Sequence, residues 1–310
     1  MDTALLIANP AASQFTGGLH RSAVRVLRKR HDLSVAWPHS AAHARELAAE
    51  AAAAGTSLVI AMGGDGIVHH VGQSLVGTQS ILGIIPAGTT NVLGRMLGTP
   101  KRPSTSVKML ANPSRTHTHS VLEVDTDGPD GPSHTAALFS FGIGPDATIV
   151  QRAEAEPYRK YRFGSLHYAR TAIATVRGEL SKRHPDVVVE VAGRKLQSIG
   201  LLAQFQNVFT YFGRMPLNLG PSSPDPVTLL VVKSIRARRT ISILRGALGE
   251  EGLGGVRGFR VIERIDSFTA RCETPIEMQA DGEFLGKVTS VSARFSPHAL
   301  RVAVPQVPES

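Results

Sequence analysis

With 42% hydrophobic and 19% charged residues, the 310-residue chain has the composition of a globular protein, and its length favours two domains over one. No run approaches the roughly 18 apolar residues needed for a transmembrane helix, and a single cysteine, Cys272, excludes an internal disulfide. The net charge of +9 points to anionic partners such as nucleotide phosphates or acidic lipid headgroups; with 5% aromatic residues and no stacking motif beside the basic clusters, nucleic acid is not expected among them.

The first strand is predicted over residues 4–8. Neither a basic segment nor a cleavable apolar core precedes it, so no secretory signal is expected and the protein is placed in the cytoplasm. Leu19, Ala23, Val26 and Leu27 mark one face of a helix, and a second strand follows over 33–37. Glu46 and the alanines from Ala48 to Ala54 make the next helix, which Gly55 stops. Strands over 58–62 and 81–85 complete the alternation of short apolar runs and helices that marks a parallel α/β sheet. From His119 the chain turns β-rich, with strands predicted over 120–124, 136–141, 187–191, 199–204, 227–232, 259–262, 268–272 and 290–295. The Gly- and Pro-containing 125–133 segment reads as a hairpin turn, and helices are expected over 165–179 and 239–248. The fold class is α/β: a Rossmann-like N-terminal domain over 1–115, then a β-rich sandwich domain over 116–310 whose last strand is free to return to the first domain.

Two loops leaving buried strands carry the chemistry. Gly63-Gly64-Asp65-Gly66 follows the 58–62 run, and Pro86-Ala87-Gly88-Thr89-Thr90-Asn91 follows the 81–85 run. Glycines there let backbone amides approach a phosphate chain, helix starts add positive dipole ends, and the embedded carboxylate can hold a metal or orient a reacting group. Asn91 stands where a helix N-cap is expected. Near the C-terminus, Asp281-Gly282-Glu283 reads as an Asp-Gly hairpin turn presenting two carboxylates. His69 and His70 are adjacent and point about 100° apart on a helix, so they make no metal pair; His117 and His119 share a strand face, lack a third ligand, and are expected to be solvated.

These patterns together resemble the diacylglycerol kinase catalytic-domain family, which includes bacterial lipid kinases and sphingosine kinases and is distantly related to NAD kinases. The resemblance starts at Asn9-Pro10, runs through the two glycine loops, reappears in Gly142-Ile143-Gly144-Pro145-Asp146-Ala147 and ends at Asp281-Gly282-Glu283. It implies an NAD-kinase-like first domain, with the site in a cleft between it and the β-rich domain. By resemblance, Asn9, Pro10, Ala11, Ala12 and Ser13 form the first nucleotide-binding loop, Ser40 touches the nucleotide, Gly63, Gly64, Asp65 and Gly66 form the second loop, and Thr89 and Asn91 belong to the third. Glu283 is the implied proton acceptor, with Asp281 orienting it or sharing a magnesium and water network with Asp65; Asp225 marks a further structural metal loop, although Pro226 replaces the glycine expected after it.

The implied activity is transfer of the γ-phosphoryl group of ATP, with Mg2+, to a lipid hydroxyl. Diacylglycerol is the default acceptor, phosphatidic acid the product, and the inner face of an anionic membrane the place of work. Residues 159–163, mixing cations with aromatics, are a candidate membrane-facing element, and the family admits a homodimer. Because the acceptor pocket lies in the β-rich domain and has no readable code, a kinase of another lipid alcohol, a long-chain base or a glycolipid, is a second reading. Three departures from the family pattern, Ile67 for a threonine, His70 for a glutamate and Val92 for an aspartate, keep open a third, a catalytically reduced nucleotide- or lipid-binding regulator.

Overall fold

The computed structural model describes residues 1–306 except 113–114, 155–170, 172–173, 176–177, 179, 181–182, 185, 207, 213–214, 218, 221–225 and 250–251. Asp225, the 159–163 segment and most of the predicted 165–179 helix lie outside the described residues. The chain divides into two compact units, Met1–Ser120 with Pro297–Ser310, and Val121–Ser296.

In the first unit, β1 (Asp2–Ala8), β2 (His31–Ala36), β3 (Leu58–Gly63) and β4 (Ile81–Pro86) are parallel in the order β4-β3-β1-β2. Residues of β3 are buried throughout, because helices cover both faces of a parallel sheet, and this is why the strand reads as an unbroken apolar run. Helices α1 (Gly17–Leu27) and α5 (Pro103–Leu110) share one core with the sheet, built from Ala23, Leu27, Val107 and Leu110 against Leu6, Ile60 and Met62. The helices α2 (Ala41–Ala53) and α3 (Asp65–Ser74) pack against each other, and a short α4 (Val92–Met96) follows the loop after β4. The last strand of the chain supplies a fifth parallel strand, pairing Arg301 with Ile81 and Val302 with Leu82.

The second unit is antiparallel. The hairpin β5 (Arg115–Asp127) and β6 (Ser133–Ala137) opens it, followed by β7 (Ser140–Ile143) and α6 (Pro145–Glu154). Strands β8 (Val187–Val191), β9 (Arg194–Ser198), β10 (Gly200–Gln204), β13 (Thr228–Val232) and β14 (Phe259–Ile262) come next, with a small hairpin of β11 (Thr210–Phe212) and β12 (Met215–Leu217) between β10 and β13. A 3-10 turn (Ala237–Arg239) leads into α7 (Thr240–Leu248). Two long strands, β15 (Ser267–Ala280) and β16 (Glu283–Val304), form the spine. A register shift between Arg271 and Ile276 lets β15 pair with β8 on one side of the shift and with β7 on the other. One core fills the space inside, including Phe141, Phe268, Val189, Leu229 and Val291.

Three expectations need correction. The predicted 136–141 strand is two strands interrupted at Leu138 and Phe139, whose N–H groups bond to a side chain instead of a neighbouring strand. His119 is buried at 2% exposure beside the buried Val121 on the same strand face, while His117, two residues earlier on that face, stays exposed. Asn91 has left-handed backbone (φ 49°) and does not cap α4 with its side chain.

Candidate active site

Three loops leave the C-terminal ends of β1, β3 and β4, the edge where open α/β sheets bind ligands. Asn9 Oδ1 accepts from the Ala11 N–H (2.9 Å) and the Asn9 N–H donates to Met62 O (3.0 Å), which ties the first loop to β3. Gln14 joins the first loop to the third: its N–H donates to Ala87 O (2.8 Å) and its Nε2 to Gly88 O (3.0 Å). Ser13 Oγ lies 3.2 Å from Thr89 Oγ1. Asn91 closes the third loop on itself, accepting from the Gly88 N–H (3.1 Å) and donating to its carbonyl (2.8 Å). A Cβ on Gly88 would lie 2.4 Å from Gly64 Cα, so the second and third loops touch backbone to backbone and only glycine fits.

Asp65 opens α3, and its Oδ1 accepts from the Val92 N–H at 2.5 Å, so this carboxylate caps α4 in place of Asn91. The N-cap position of α3 is Gly64, which has no side chain to cap this helix start behind the glycine loop. Ser40 is the N-cap of α2, its hydroxyl accepting from the His43 N–H (3.0 Å). Ile67 is buried and its Cγ2 packs against Gly63, so an apolar contact fills the place of the family's hydroxyl. The His70 Nδ1 lies 3.3 Å from an Arg45 guanidinium nitrogen; as guanidinium only donates, this ring nitrogen accepts.

In the second unit, Asp281 (φ 55°) and Gly282 (φ 80°) make a two-residue turn closed by the Ala280–Glu283 pair. Asp281 is buried, and its carboxylate accepts from three successive backbone N–H groups, Leu138 (2.7 Å), Phe139 (2.8 Å) and Ser140 (3.0 Å). Its negative charge is thereby committed to holding the β6–β7 connection, and the turn fixes the half-buried Glu283 at the head of β16. Gln279 supports the same turn from behind: its Oε1 accepts from the Gly282 N–H (2.9 Å) and its Nε2 donates to Asp146 Oδ2 (2.8 Å). Burial pushes the Asp146 carboxyl up to about 6, against the opposing pull of the Gln279 hydrogen bond. A Cβ on Gly142 would come within 2.9 Å of that carboxyl oxygen, which explains the glycine two residues before Gly144 in this motif. Nearby, Glu277 is held below its usual value: burial raises it, but its own backbone N–H, Arg183 (3.3 Å), Lys287 (3.4 Å) and Thr148 together outweigh that.

The diacylglycerol kinase catalytic domain model matches residues 3–123. This stretch belongs to the diacylglycerol kinase catalytic-domain family. A Xanthomonas campestris protein named "Probable lipid kinase YegS-like" is 31% identical over 163 residues, which are 50% of this chain and 50% of that protein. A Mycobacterium tuberculosis diacylglycerol kinase is 51% identical over 59 residues, 19% of each chain. The chain spans about half the length of the first of these relatives where the two match. Among solved structures, a diacylglycerol kinase from Bacillus anthracis aligns with a TM-score of 0.68 at 18% identity over 98% of this chain and 97% of that one. Yeast NADH kinase aligns with a TM-score of 0.53 at 11% identity over 98% and 84%. These likenesses establish the Rossmann-like first unit and the β-rich second one as the fold.

Within the diacylglycerol kinase domain, Asn9 to Ser13, Gly63 to Gly66, Thr89 and Asn91 are brought into one hydrogen-bonded loop cluster, whereas Ser40 is engaged at a helix start. No local pattern marks Gln14 as the bridge between loops or Gln279 as the support behind the turn. Asp146 was visible in its motif but without a role. Phe15, His20 and Trp37 form an aromatic cluster just past the first loop, with ring centroids 4.4 Å apart for His20–Trp37 and 5.9 Å for Phe15–Trp37. The chain's only tryptophan was its signal.

Proposed function

We propose that the protein is a lipid kinase that moves the γ-phosphoryl group of ATP to a lipid hydroxyl, with diacylglycerol as acceptor and phosphatidic acid as product. The observation that carries this reading is the triple-loop cluster at the parallel strand ends, where Gly64 and Gly88 meet backbone to backbone beside Asp65 and an uncapped helix start. Such a cradle fits the phosphate chain of a nucleotide. Mg2+ prefers oxygen ligands and retained waters, so it would be carried largely on the nucleotide phosphates, with Asp65 the carboxylate placed beside them. When bound, the ion neutralises phosphate charge.

Glu283 is assigned as proton acceptor: the lipid O–H proton passes to its carboxylate, the oxygen bonds to the γ-phosphorus, and the bond from that phosphorus to the β,γ-bridging oxygen breaks to release ADP. Asp281 acts as a positioning residue, because its carboxylate is engaged by three backbone N–H groups. The lipid works at a membrane surface, so peripheral attachment to the inner leaflet accompanies this reading. Label transfer from γ-labelled ATP to a panel of lipids in mixed micelles tests it. Transfer to diacylglycerol that is lost in Glu283→Gln supports it, transfer only to a long-chain base or glycolipid changes the acceptor, and nucleotide binding without any transfer favours the regulator suggested by Ile67, His70 and Val92.

A further inference from the structure

The stretch from Lys233 to Gly249 carries Lys233, Arg236, Arg238, Arg239 and Arg245 and no carboxylate. Arg257 joins them in space, its carbonyl accepting from Arg239 Nη1 at 2.9 Å. Desolvation first, then the positive fields of Arg257, Arg238 and Arg236, holds the Arg239 guanidinium below its ordinary value, which marks a cluster of mutually repelling cations. No ion pair among the described residues engages any of these six side chains.

An apolar element sits inside this cluster. Ile241 is 64% exposed in the first turn of α7, with Arg245 one turn further along the same face. The helix packs against β12, whose Met215 is 47% exposed. Ile241 and Met215 are two of the four large apolar side chains that the described residues expose. A soluble polyanion would satisfy the arginines and leave these two side chains in water. A bilayer with acidic headgroups satisfies both, offering phosphates to the guanidinium groups and the headgroup–acyl boundary to the apolar pair.

We propose that the face formed by α7, the turn before it and β12 docks on an anionic lipid bilayer, with Ile241 and Met215 entering the interface and Arg236, Arg238, Arg239, Arg245 and Arg257 meeting lipid phosphates. It deepens the lipid kinase reading by naming where the chain meets its membrane, yet it is tested without turnover, so either can fail alone.

The test is co-sedimentation of the full chain with phosphatidylcholine vesicles, with and without about 30 mol% phosphatidylglycerol, at low and high salt. Binding is expected only with the acidic lipid and falls as salt rises. Arg236→Gln with Arg238→Gln, both exposed positions, is expected to weaken partition about thirtyfold from roughly 1 kcal/mol per cation. Ile241→Ser is expected to weaken it severalfold and to leave the salt dependence unchanged, and far-UV circular dichroism confirms that each variant is folded. Equal partition onto neutral vesicles, or undiminished binding by the double variant, overturns the proposal. So does tighter binding to a DNA oligonucleotide that the same double variant loses, which makes the face a nucleic-acid surface.

Discussion

Asp146 offers a measurement that depends on one buried carboxyl. Its ordinary value is 3.8 and burial moves it to about 6 in the folded chain, so the folded state holds a proton that the unfolded chain releases more readily. Stability from this group is therefore fully present below pH 3.8 and is lost as pH rises through about 6. At roughly 1.36 kcal/mol for each pKa unit, the loss across that window is about 3 kcal/mol. Asp146→Asn keeps an oxygen for the Gln279 amide and cannot ionise, so it escapes the loss. In urea unfolding followed by circular dichroism, the variant should gain about 3 kcal/mol relative to the parent between about pH 3.5 and pH 7. Other carboxylates titrate in both proteins and cancel in the difference. A difference that stays flat across that range would mean that Asp146 ionises as it does in water and that its burial does not govern its proton.

Gly88→Ala should drive the two glycine loops apart, since the added methyl meets the backbone of Gly64 at 2.4 Å; ATP affinity measured by calorimetry should fall at least about tenfold, with a lower melting temperature. Asp65→Asn retains an acceptor for the Val92 N–H, so its melting temperature should stay near the parent's while phosphoryl transfer falls by about two orders of magnitude or more; full activity would remove Asp65 from the chemistry. Asp281→Ala leaves three buried N–H groups without their acceptor and should cost about 3 kcal/mol or more in urea unfolding, whereas Glu283→Gln should change stability by less than about 1 kcal/mol and abolish transfer. If the two variants destabilise equally, the division into a positioning and an accepting carboxylate is wrong.

The parallel strands were legible because β3 and β4 are buried on both faces, so residues 58–62 and 81–85 could only be apolar. The glycine loops were legible for a related reason: a close backbone approach restricts residue choice at Gly64 and Gly88. What escaped the sequence depends on partners far along the chain. Leu138 and Phe139 look like strand residues, and only Asp281, more than 140 positions away, takes their N–H groups out of the ladder. Local pattern likewise offered Asn91 as the cap of α4, but the carboxylate that does the capping comes from Asp65 in the preceding loop. The inward turn of His119 was missed because two histidines on one strand face were taken to share one environment, and burial differs between them.

The pairing of residues 301–302 with β4 has a consequence for synthesis on the ribosome. The sheet of the first unit is finished by a strand made some 200 residues after β4, and Leu300, Val302 and Ala303 enter its interior. Until that strand emerges, β4 has an open edge able to pair with other chains. The unit made first is thus completed last, and a nascent chain stalled before residue 297 would be expected to call on chaperones even with both glycine loops already made.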